Sequence, residues 1–355
     1  MSTTVETKPA PRPRQPDADE RVARRSLLSR LLTRPEVGAL MGAIVIYIVF
    51  FAVAPPFRDL SSLSSVLYLS STFGIPAVAV ALLMIGGEFD LSAGVAVTSS
   101  ALVASMFSYQ FTANMWVGVL VSLVVALVIG FVNGYLVVQT GIPSFLVTLG
   151  TFFMLRGLNL AITKQVTGNV GTNDVSTIDG FTSAQKVFAS SFAIGGVSIR
   201  ITLLWWILFV VIGTWVLLRT KIGNWIFAVG GSAPSSRAVG VPVNRVKIGL
   251  FMTVGFLAWF TGMHTLFQNN TVQSGIGLGN EFIYIVAAVV GGCLLTGGYG
   301  SVIGAAIGAF IFGMAQLGIV YAGWNPDWFY FFLGALLLGA ILLNNYVRRR
   351  AEAMR

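Results

Sequence analysis

The sequence is poor in the residues that build soluble surfaces and catalytic centres. Charged side chains make up 10% of its 355 residues, against roughly a quarter in soluble globular domains. It has a single cysteine, Cys293, and a single histidine, His264, so an internal disulfide framework and a cysteine-based metal site are excluded. We expect no metal ion and no other cofactor. Both residues are expected to pack inside the fold rather than to act on a substrate.

A phosphate-binding loop is also missing. None of the five lysines follows a glycine, so the pattern GxxxxGK[ST] does not occur. A chain that hydrolysed ATP by that route would need this loop to cradle the phosphates. No pairing of a nucleophile with a base is visible either, which argues against a membrane enzyme.

Apolar residues are what the sequence has in abundance. They make up 55% of the chain, and a helix crossing a bilayer needs roughly 20 of them in succession. The composition therefore predicts an all-α integral membrane protein with about ten transmembrane helices, some of them broken. The apolar segments fall approximately at 37–54, 63–86, 91–109, 115–138, 142–163, 201–219, 247–268, 281–296, 300–322 and 328–347.

The net charge of +9 is concentrated in three places. Residues 1–34 carry +4, residues 348–355 carry +3, and the stretch 219–247 has five bases and no acid. Together these regions hold 17 of the 22 lysines and arginines. Since basic segments stay on the cytoplasmic side of a membrane, the charges favour ten crossings with both ends cytoplasmic. The stretch 164–200 would then lie on the periplasmic side.

The same charges predict the domain organisation. Residues 1–36, with the proline-rich run 9–16, read as a disordered cytoplasmic tail, residues 37–347 as the transmembrane domain, and residues 348–355 as a second basic tail. Because the excess of positive charge sits in the tails and not on a folded face, nucleic acid is not an expected partner. Membrane lipid is.

Two glycine pairs interrupt the apolar segments. In the first, IGGEFDLSAG (85–94), Glu88 and Asp90 stand between two apolar runs. Asp90 is expected either to cap a helix beginning near Leu91 or to face a polar path, since broken helices at membrane depth line cavities. A related pattern follows Glu281, in the run GGCLLTGGYG (291–300).

Glycines at four-residue spacing recur elsewhere. Gly130 and Gly134 form one such row, and Gly300, Gly304 and Gly308 form another. Rows of this kind let helices approach closely in lipid, either within one subunit or between subunits.

The basic stretch contains AVGGSAPSSRAVGV (228–241). Ser232 is a candidate N-cap and Pro234 suits a first helical turn. A helix of about six residues ended by Gly240 is one interpretation, and an ordinary basic turn is the other.

Four stretches in this order resemble the permease subunits of bacterial sugar-importing ABC transporters of the ribose, xylose and arabinose type. They are IGGEFDLSAG (85–94), GIPSFLVTLGTFFMLRGL (141–158), FAVGGSAPSSRAVGVPVNRVK (227–247) and EFIYIVAAVVGGCLLTGGYG (281–300). The resemblance spans about residues 60–345. The extra Glu88 between the glycine pair and Asp-Leu-Ser is a departure from the family pattern.

The resemblance implies three kinds of partner: a second permease copy, ATP-binding cassette subunits on the cytoplasmic face, and a periplasmic solute-binding protein. Residues implied to couple the permease to the ATPase are Ser235, Ser236, Arg237, Ala238 and Gly240. Residues implied to lie along the translocation path are Glu88, Asp90, Ser92, Asn280 and Glu281. Arg156 also matches a family position, within or near the outer end of the fifth segment, where it would snorkel to the interface or pair with an acid.

The sequence thus predicts the membrane subunit of an ATP-driven importer of a monosaccharide or polyol, in the inner membrane of a bacterium. Nucleosides and a quorum-signal sugar are alternative cargoes of similar permeases. The rival hypothesis is an ion- or proton-coupled secondary transporter, which would use Glu88, Asp90 or Glu281 as the coupling carboxylate.

Overall fold

The computed structural model describes residues 35–111 and 114–353, with side chains up to residue 342. Of the predicted tail 1–36, only residues 35 and 36 are among the described residues. Of the tail 348–355, only the backbone of residues 348–353 is described.

The described chain is almost entirely helical. It holds thirteen α-helices, one 3-10 turn (Pro55–Arg58) and two short strands. In chain order the helices and strands are α1 (Pro35–Val53), α2 (Leu60–Ile85), α3 (Ala93–Phe111), α4 (Met115–Thr140), α5 (Ser144–Thr167), α6 (Phe181–Phe188), β1 (Ser191–Ile194), β2 (Val197–Arg200), α7 (Ile201–Arg219), α8 (Lys221–Gly231), α9 (Ala233–Ala238), α10 (Val243–Asn269), α11 (Asn280–Val290), α12 (Val302–Tyr321) and α13 (Trp328–Ala353).

Seven of these helices are long and apolar enough to cross a membrane: α1, α2, α4, α5, α7, α10 and α12. The other three predicted apolar segments fall on α3, α11 and α13. With 11 residues, α11 is only about 16 Å long, and the described apolar part of α13 ends at Leu342. The helical membrane fold is confirmed, while the count of ten crossings stays a prediction.

The helices form a buried centre and an exposed surround. Most side chains of α2, α10 and α12 are buried, whereas only about a fifth of those of α1, α5 and α7 are. Glycines make the central contacts possible, because α4 meets α10 at Gly130 and Gly134, and α12 meets α11 at Gly304 and Gly308. These two predicted glycine rows therefore serve packing within the subunit.

The stretch 164–200 has structure of its own. It contains α6 and a hairpin in which β1 and β2 pair through the two-residue turn Gly195-Gly196. Both glycines have positive φ, +58° and +84°, as a tight hairpin turn with a right-handed strand twist requires. Ser64, near the start of α2, donates a hydrogen bond to the Ser198 carbonyl.

The loops 164–200 and 219–247 lie at opposite ends of α2. The hairpin contacts the first turns of α2 through Ser64, while Gly230, in the second loop, contacts Gly87 just beyond the last residue of α2. We call these the hairpin end and the basic end of the helix bundle.

Candidate translocation and coupling site

Helices α2 and α11 terminate in the same kind of turn. The second glycine of each pair, Gly87 and Gly292, has a φ of +84° and +91°, a conformation that side chains other than glycine rarely adopt. The next amide, that of Glu88 or Cys293, donates to a carbonyl five residues back, at 3.2 and 2.9 Å. This bond pattern closes a helix and satisfies its last carbonyls. The two broken segments, which the sequence only suggested to be related, share one backbone geometry.

Three glycine-rich segments meet at the basic end. A Cβ at Gly87 would lie 3.3 Å from the Cα of Gly230, and a Cβ at Gly297 would lie 2.6 Å from the Cα of Gly87. The Gly298 amide donates to the Ile85 carbonyl at 2.8 Å. The three segments are thus in backbone contact, with no room for side chains. We call Gly87, Gly230, Gly297 and Gly298 the glycine junction.

An ion pair stands beside the glycine junction. Glu88 is 7% exposed, and its carboxylate pairs with the ammonium of Lys247 at the start of α10. The extra acid of the first motif therefore connects the α2–α3 loop to the basic stretch. Its partner, Lys247, was not singled out in the sequence.

Asp90 and Ser92 belong to a buried polar network. The Ser92 hydroxyl donates to Asp90 Oδ1 at 2.6 Å, Asn133 Nδ2 donates to Ser92 Oγ at 2.9 Å, and Thr151 Oγ1 donates to Asn133 Oδ1 at 2.7 Å. All four side chains are buried. Buried polar groups are costly unless they are hydrogen-bonded, so this network fixes the loop between α2 and α3 against α4 and α5.

The expected role of Asp90 as a helix cap needs correction. Helix α3 begins at Ala93, two residues later than Leu91, and Asp90 Oδ1 accepts from the Ser92 amide at 2.8 Å. Asp90 therefore stabilises the turn that precedes the helix, since a carboxylate readily bonds the backbone two residues on.

Helix α5 holds the same loop with a polar stripe. The hydroxyls of Ser144 and Thr148 accept from the amides of Phe89 and Leu91 at 3.0 and 3.1 Å, and Thr151 continues the stripe into the network. These contacts were not predicted, although the spacing 144, 148, 151 places three hydroxyls on one helix face.

A polar cavity opens near the hairpin end, between α2, α10 and α11. Its volume is about 350 Å³. The polar residues that line it are Tyr68, Thr72, Thr261, His264, Thr265, Gln268, Asn269, Asn280 and Tyr284. Within the described part of the chain, none of its lining residues is an Asp, Glu, Lys or Arg. The cavity suits a neutral molecule rich in hydroxyl groups.

The structure separates the predicted path residues into two places. Asn280, the first residue of α11, lines the cavity, and Glu281 beside it is buried, with Oε1 accepting from the Gly279 amide at 3.1 Å. Glu88, Asp90 and Ser92 do not line the cavity, since they are engaged in the ion pair and the network described above.

His264 is a packed, hydrogen-bonded residue in the cavity wall, as expected. Its Nδ1 lies 2.8 Å from the Phe188 carbonyl, and its Nε2 lies 3.1 Å from the Tyr68 hydroxyl. Because a carbonyl only accepts, Nδ1 carries the proton and Nε2 accepts from the tyrosine. Cys293 is buried and free, also as expected.

The predicted short helix exists as α9. Ser232 caps it by accepting from the Ser235 amide at 3.3 Å, and Pro234 lies in its first turn. The chain leaves the helix through Gly240, whose φ is +85°. Ser232 is also the C-cap of α8, so the glycine junction and α9 are linked through one short amphipathic helix.

The predicted coupling residues differ in exposure. Ser235, Arg237, Ala238 and Gly240 are exposed, whereas Ser236 is buried. The Val239 side chain, which was not among the predicted coupling residues, is 79% exposed. Val239 thus stands exposed between Ala238 and Gly240 at the end of α9.

Arg156 lies within the fifth apolar segment, away from its outer end. Helix α5 continues to Thr167, which places Arg156 at its middle, with an exposed side chain. No hydrogen bond or ion pair joins it to another described residue. Gly150 and Gly157 are also exposed, and a Cβ at either would meet nothing within 4 Å.

Comparison with known proteins identifies the family. The family model described as the permease component of branched-chain amino acid transport systems matches residues 62–341. The chain is 34% identical to a probable ABC transporter permease (YphD) of Escherichia coli K12, over 89% of this chain and 91% of that protein. It is 31% identical to the galactose/methyl galactoside import permease (MglC) of the same strain, over 87% and 95%. The ribose import permease (RbsC) of that strain is 28% identical over 87% and 94%.

No solved structure matches the chain. The relatives are transport subunits rather than enzymes, and permeases of this family work with ATP-hydrolysing subunits and a periplasmic solute-binding protein. The chain belongs to this family of ABC importer permeases, and it is a multi-pass subunit of the bacterial inner membrane.

Proposed function

We propose that the chain forms the membrane pathway of an ATP-driven importer for a monosaccharide or a related polyol. The observation that carries this proposal is the neutral, hydroxyl- and amide-lined cavity of about 350 Å³. Two aromatic rings, Tyr68 and Tyr284, also border it, and apolar ring faces suit the C–H surface of a sugar. The names of the galactose, ribose and fructose permeases among its relatives support the same class.

An amino acid, which the description of the family model mentions, fits this cavity less well. A zwitterion entering a membrane needs charged or strongly polar partners for both of its ends. The lining residues within the described chain are neutral apart from the titratable imidazole of His264, whose two nitrogens are already hydrogen-bonded. An autoinducer-2 permease is also among the relatives, so a sugar-like signal molecule is the second candidate cargo.

We further propose ten crossings with both ends in the cytoplasm. The positive charge of the tails and of 219–247 supports this arrangement. It also fits the opposite placement of the loops 164–200 and 219–247 along α2. In this arrangement the hairpin end is periplasmic, the basic end is cytoplasmic, and α11 with its preceding segment counts as one broken crossing.

The permease is proposed to act as a pair, with the exposed face of α5 turned toward the second copy. Arg156 lies at the middle of an apolar helix and is exposed in one subunit. A cation at that depth almost always faces protein or a water-filled cavity rather than lipid. Gly150 and Gly157 on the same helix would allow two backbones to approach closely.

Coupling to the ATPase is proposed to run through α9 and α8 to the glycine junction. Ser235, Arg237, Ala238 and Gly240, together with Val239, would contact the ATPase surface, and Ser236 would hold the helix from inside. Movement of α8 would then act directly on the backbones that follow α2 and precede α12, because the glycine junction contains no flexible side chains.

The path is proposed to lead from the cavity, past Asn280 and Glu281, to the basic end. There the Glu88–Lys247 pair and the network of Asp90 and Ser92 would close the cytoplasmic side in this conformation. ATP binding by the partner subunits would shift the equilibrium between closed and open arrangements, as in other rigid-body switches.

The test is uptake by the reconstituted assembly of permease, ATPase and binding protein in liposomes. Labelled pentoses, hexoses and polyols should accumulate only with ATP, and an uncoupler should leave the rate unchanged. Uptake that survives ATP depletion and collapses with the uncoupler would instead support the secondary-transport hypothesis. Accumulation of a branched-chain amino acid but of no sugar would overturn the proposed cargo.

A further inference from the structure

A second, larger concavity lies between α2, α7, α8 and α10. Its volume is about 710 Å³. Most of its lining is apolar, and it includes Val78, Leu82, Phe209, Ile212, Val216 and Phe256. It is separate from the polar cavity, with which it shares no lining residue. We call it the apolar groove.

The apolar groove is open to the side of the bundle. Ile212 and Ile222 are 46% and 52% exposed, and a Cβ at Gly249 would meet nothing within 4 Å. Three of its four helices, α2, α7 and α10, are apolar enough to cross a membrane. Because the concavity opens sideways between helices that can cross the membrane, it faces the hydrocarbon of the bilayer. If it were empty, the atoms of its walls would lose dispersion contacts.

Positive charge surrounds one end of the groove. Arg245 lines it directly. Arg219, the last residue of α7, and Lys221, the first residue of α8, lie where these two groove-lining helices meet. All three side chains are exposed, and within the described chain none of them forms an ion pair.

The other two cations of the same stretch are engaged. Lys247 pairs with Glu88, and Arg237 donates to the Asn244 amide oxygen at 3.4 Å. The stretch 219–247 contains no acidic residue, so the three groove-side cations lack a counter-charge within their own loop. Trp225, an aromatic residue of the kind that anchors at membrane interfaces, lines the groove on α8.

We propose that the apolar groove holds an acyl chain of an anionic phospholipid, with the lipid phosphate bound by Arg245 and attracted by Arg219 and Lys221. The apolar walls and the open side of the groove suit an acyl chain, and the unpaired cations at one end suit the phosphate. Basic pockets between membrane helices recognise anionic headgroups in this way. A bound lipid would brace α8, which leads through Ser232 into α9.

Native mass spectrometry of the purified full-length permease would measure the binding. The protein is titrated with phosphatidylglycerol or with phosphatidylcholine of the same acyl chains. One phosphatidylglycerol per chain should be retained at least five-fold more tightly than phosphatidylcholine, because each cation near an anionic lipid contributes a factor of about five.

Two variants separate the parts of the site. Arg245→Gln should lower phosphatidylglycerol retention about five-fold and leave phosphatidylcholine unchanged, while Arg245→Lys should retain most of the preference. Gly249→Phe should fill the groove and reduce retention of both lipids. Matched controls are Lys164→Gln, an exposed cation on α5, and Gly339→Phe, an exposed glycine on α13 with nothing within 4 Å of its Cβ position. Both controls should bind lipid as the unchanged protein does.

Equal retention of the two lipids by the unchanged protein would overturn the proposal, as would unchanged retention in both Arg245→Gln and Gly249→Phe. If Arg245→Gln instead reduced recovery of the ATPase subunit at unchanged lipid retention, the cation would belong to the subunit interface. The proposal would then be wrong even if the transport function held.

Discussion

Lys247 forms an ion pair with Glu88, a residue 159 positions earlier in the chain. The pair connects the second turn of α10 to the loop that follows α2, next to the glycine junction. The Lys247 side chain is 20% exposed and that of Glu88 is 9% exposed. The pair is therefore less exposed than a surface ion pair but not fully buried.

Loss of one partner from this pair should destabilise the protein. In Glu88→Gln the ammonium of Lys247 would remain largely buried without a counter-charge. An unpaired charge costs several kcal/mol when fully buried and much less at a surface. We expect a loss of about 1–2 kcal/mol, measured as a lower thermal unfolding temperature of the purified permease. Lys186→Met, which removes an exposed cation on α6, is the control and should have no effect. A charge swap, Glu88→Lys with Lys247→Glu, should recover part of the loss, and a double variant less stable than either single one would contradict the pairing.

Adjacent glycines on α8 offer a matched pair of substitutions. A Cβ at Gly230 would overlap the Ile85 carbonyl oxygen, whereas a Cβ at Gly231 would meet nothing within 4 Å. Gly230→Ala should therefore separate α8 from α2 at a cost of about 1–3 kcal/mol, with a corresponding drop in ATP-dependent uptake. Gly231→Ala should behave as the unchanged protein in both assays. Equal effects of the two variants would mean that the glycine junction does not link the segments.

The exposed Val239 should be a contact of the ATPase subunit. Replacing it by Asp puts a charge where an apolar contact would be buried, and recovery of the ATPase on an affinity-tagged permease should fall at least ten-fold. The control is Ile194→Asp, on the hairpin at the other end, where the side chain is 61% exposed. The combined variant Arg237→Glu with Gly240→Trp tests the rest of the loop, and normal uptake in that variant would remove the coupling role from this loop.

The face of α5 can be tested through the single cysteine of the chain. In a Cys293→Ala background, Gly157→Cys should allow two permeases in the membrane to be cross-linked by a short thiol-reactive reagent. Val211→Cys, at a position 59% exposed on α7, should remain monomeric under the same treatment. Cross-linking at Val211 but not at Gly157 would place the partner copy on the other side of the bundle.

Asn280 should contribute to transport through the polar cavity. Asn280→Leu removes a neutral hydrogen-bonding group from the cavity lining, and the maximal uptake rate should fall about ten-fold, equivalent to about 1.4 kcal/mol for one lost polar contact. Affinity of the binding protein for the sugar, measured separately, should not change. Thr163→Val is the control, because this buried hydroxyl on α5 lacks a partner within the described structure. Similar losses in both variants would indicate a general effect on folding.

Local patterns predicted local structure well. The cap Ser232, the proline in the first turn and the glycine after the helix together predicted α9, because all three act within a few residues of one another. The apolar segments predicted where helices lie for the same reason. The hairpin 191–200 was missed, although two glycines between short β-branched and apolar runs are a usual hairpin signal.

Contacts between distant parts of the chain could not be predicted in this way. The glycine junction joins residues that are more than 60 positions apart, and the partner of Glu88 is chosen by the way α10 packs beside α2. Asp90 was expected to cap a helix because carboxylates often do so, but the helix begins two residues later and the carboxylate serves the turn. Which glycines touch, and which partner each carboxylate meets, depends on the packed bundle.

The matching turns after α2 and α11 restrict how the protein can evolve. Each turn depends on a glycine with positive φ, Gly87 or Gly292. Nearly every other amino acid would strain the backbone at these two positions. The two connections that follow these turns differ in this respect. The four residues between Gly87 and Ser92 include no glycine, whereas the eight between Gly292 and Ser301 include Gly297 and Gly298 of the glycine junction, both with positive φ. Lineages that acquire a new cargo are thus expected to vary in the connection after α2, while both turns and the glycine-rich connection after α11 stay fixed.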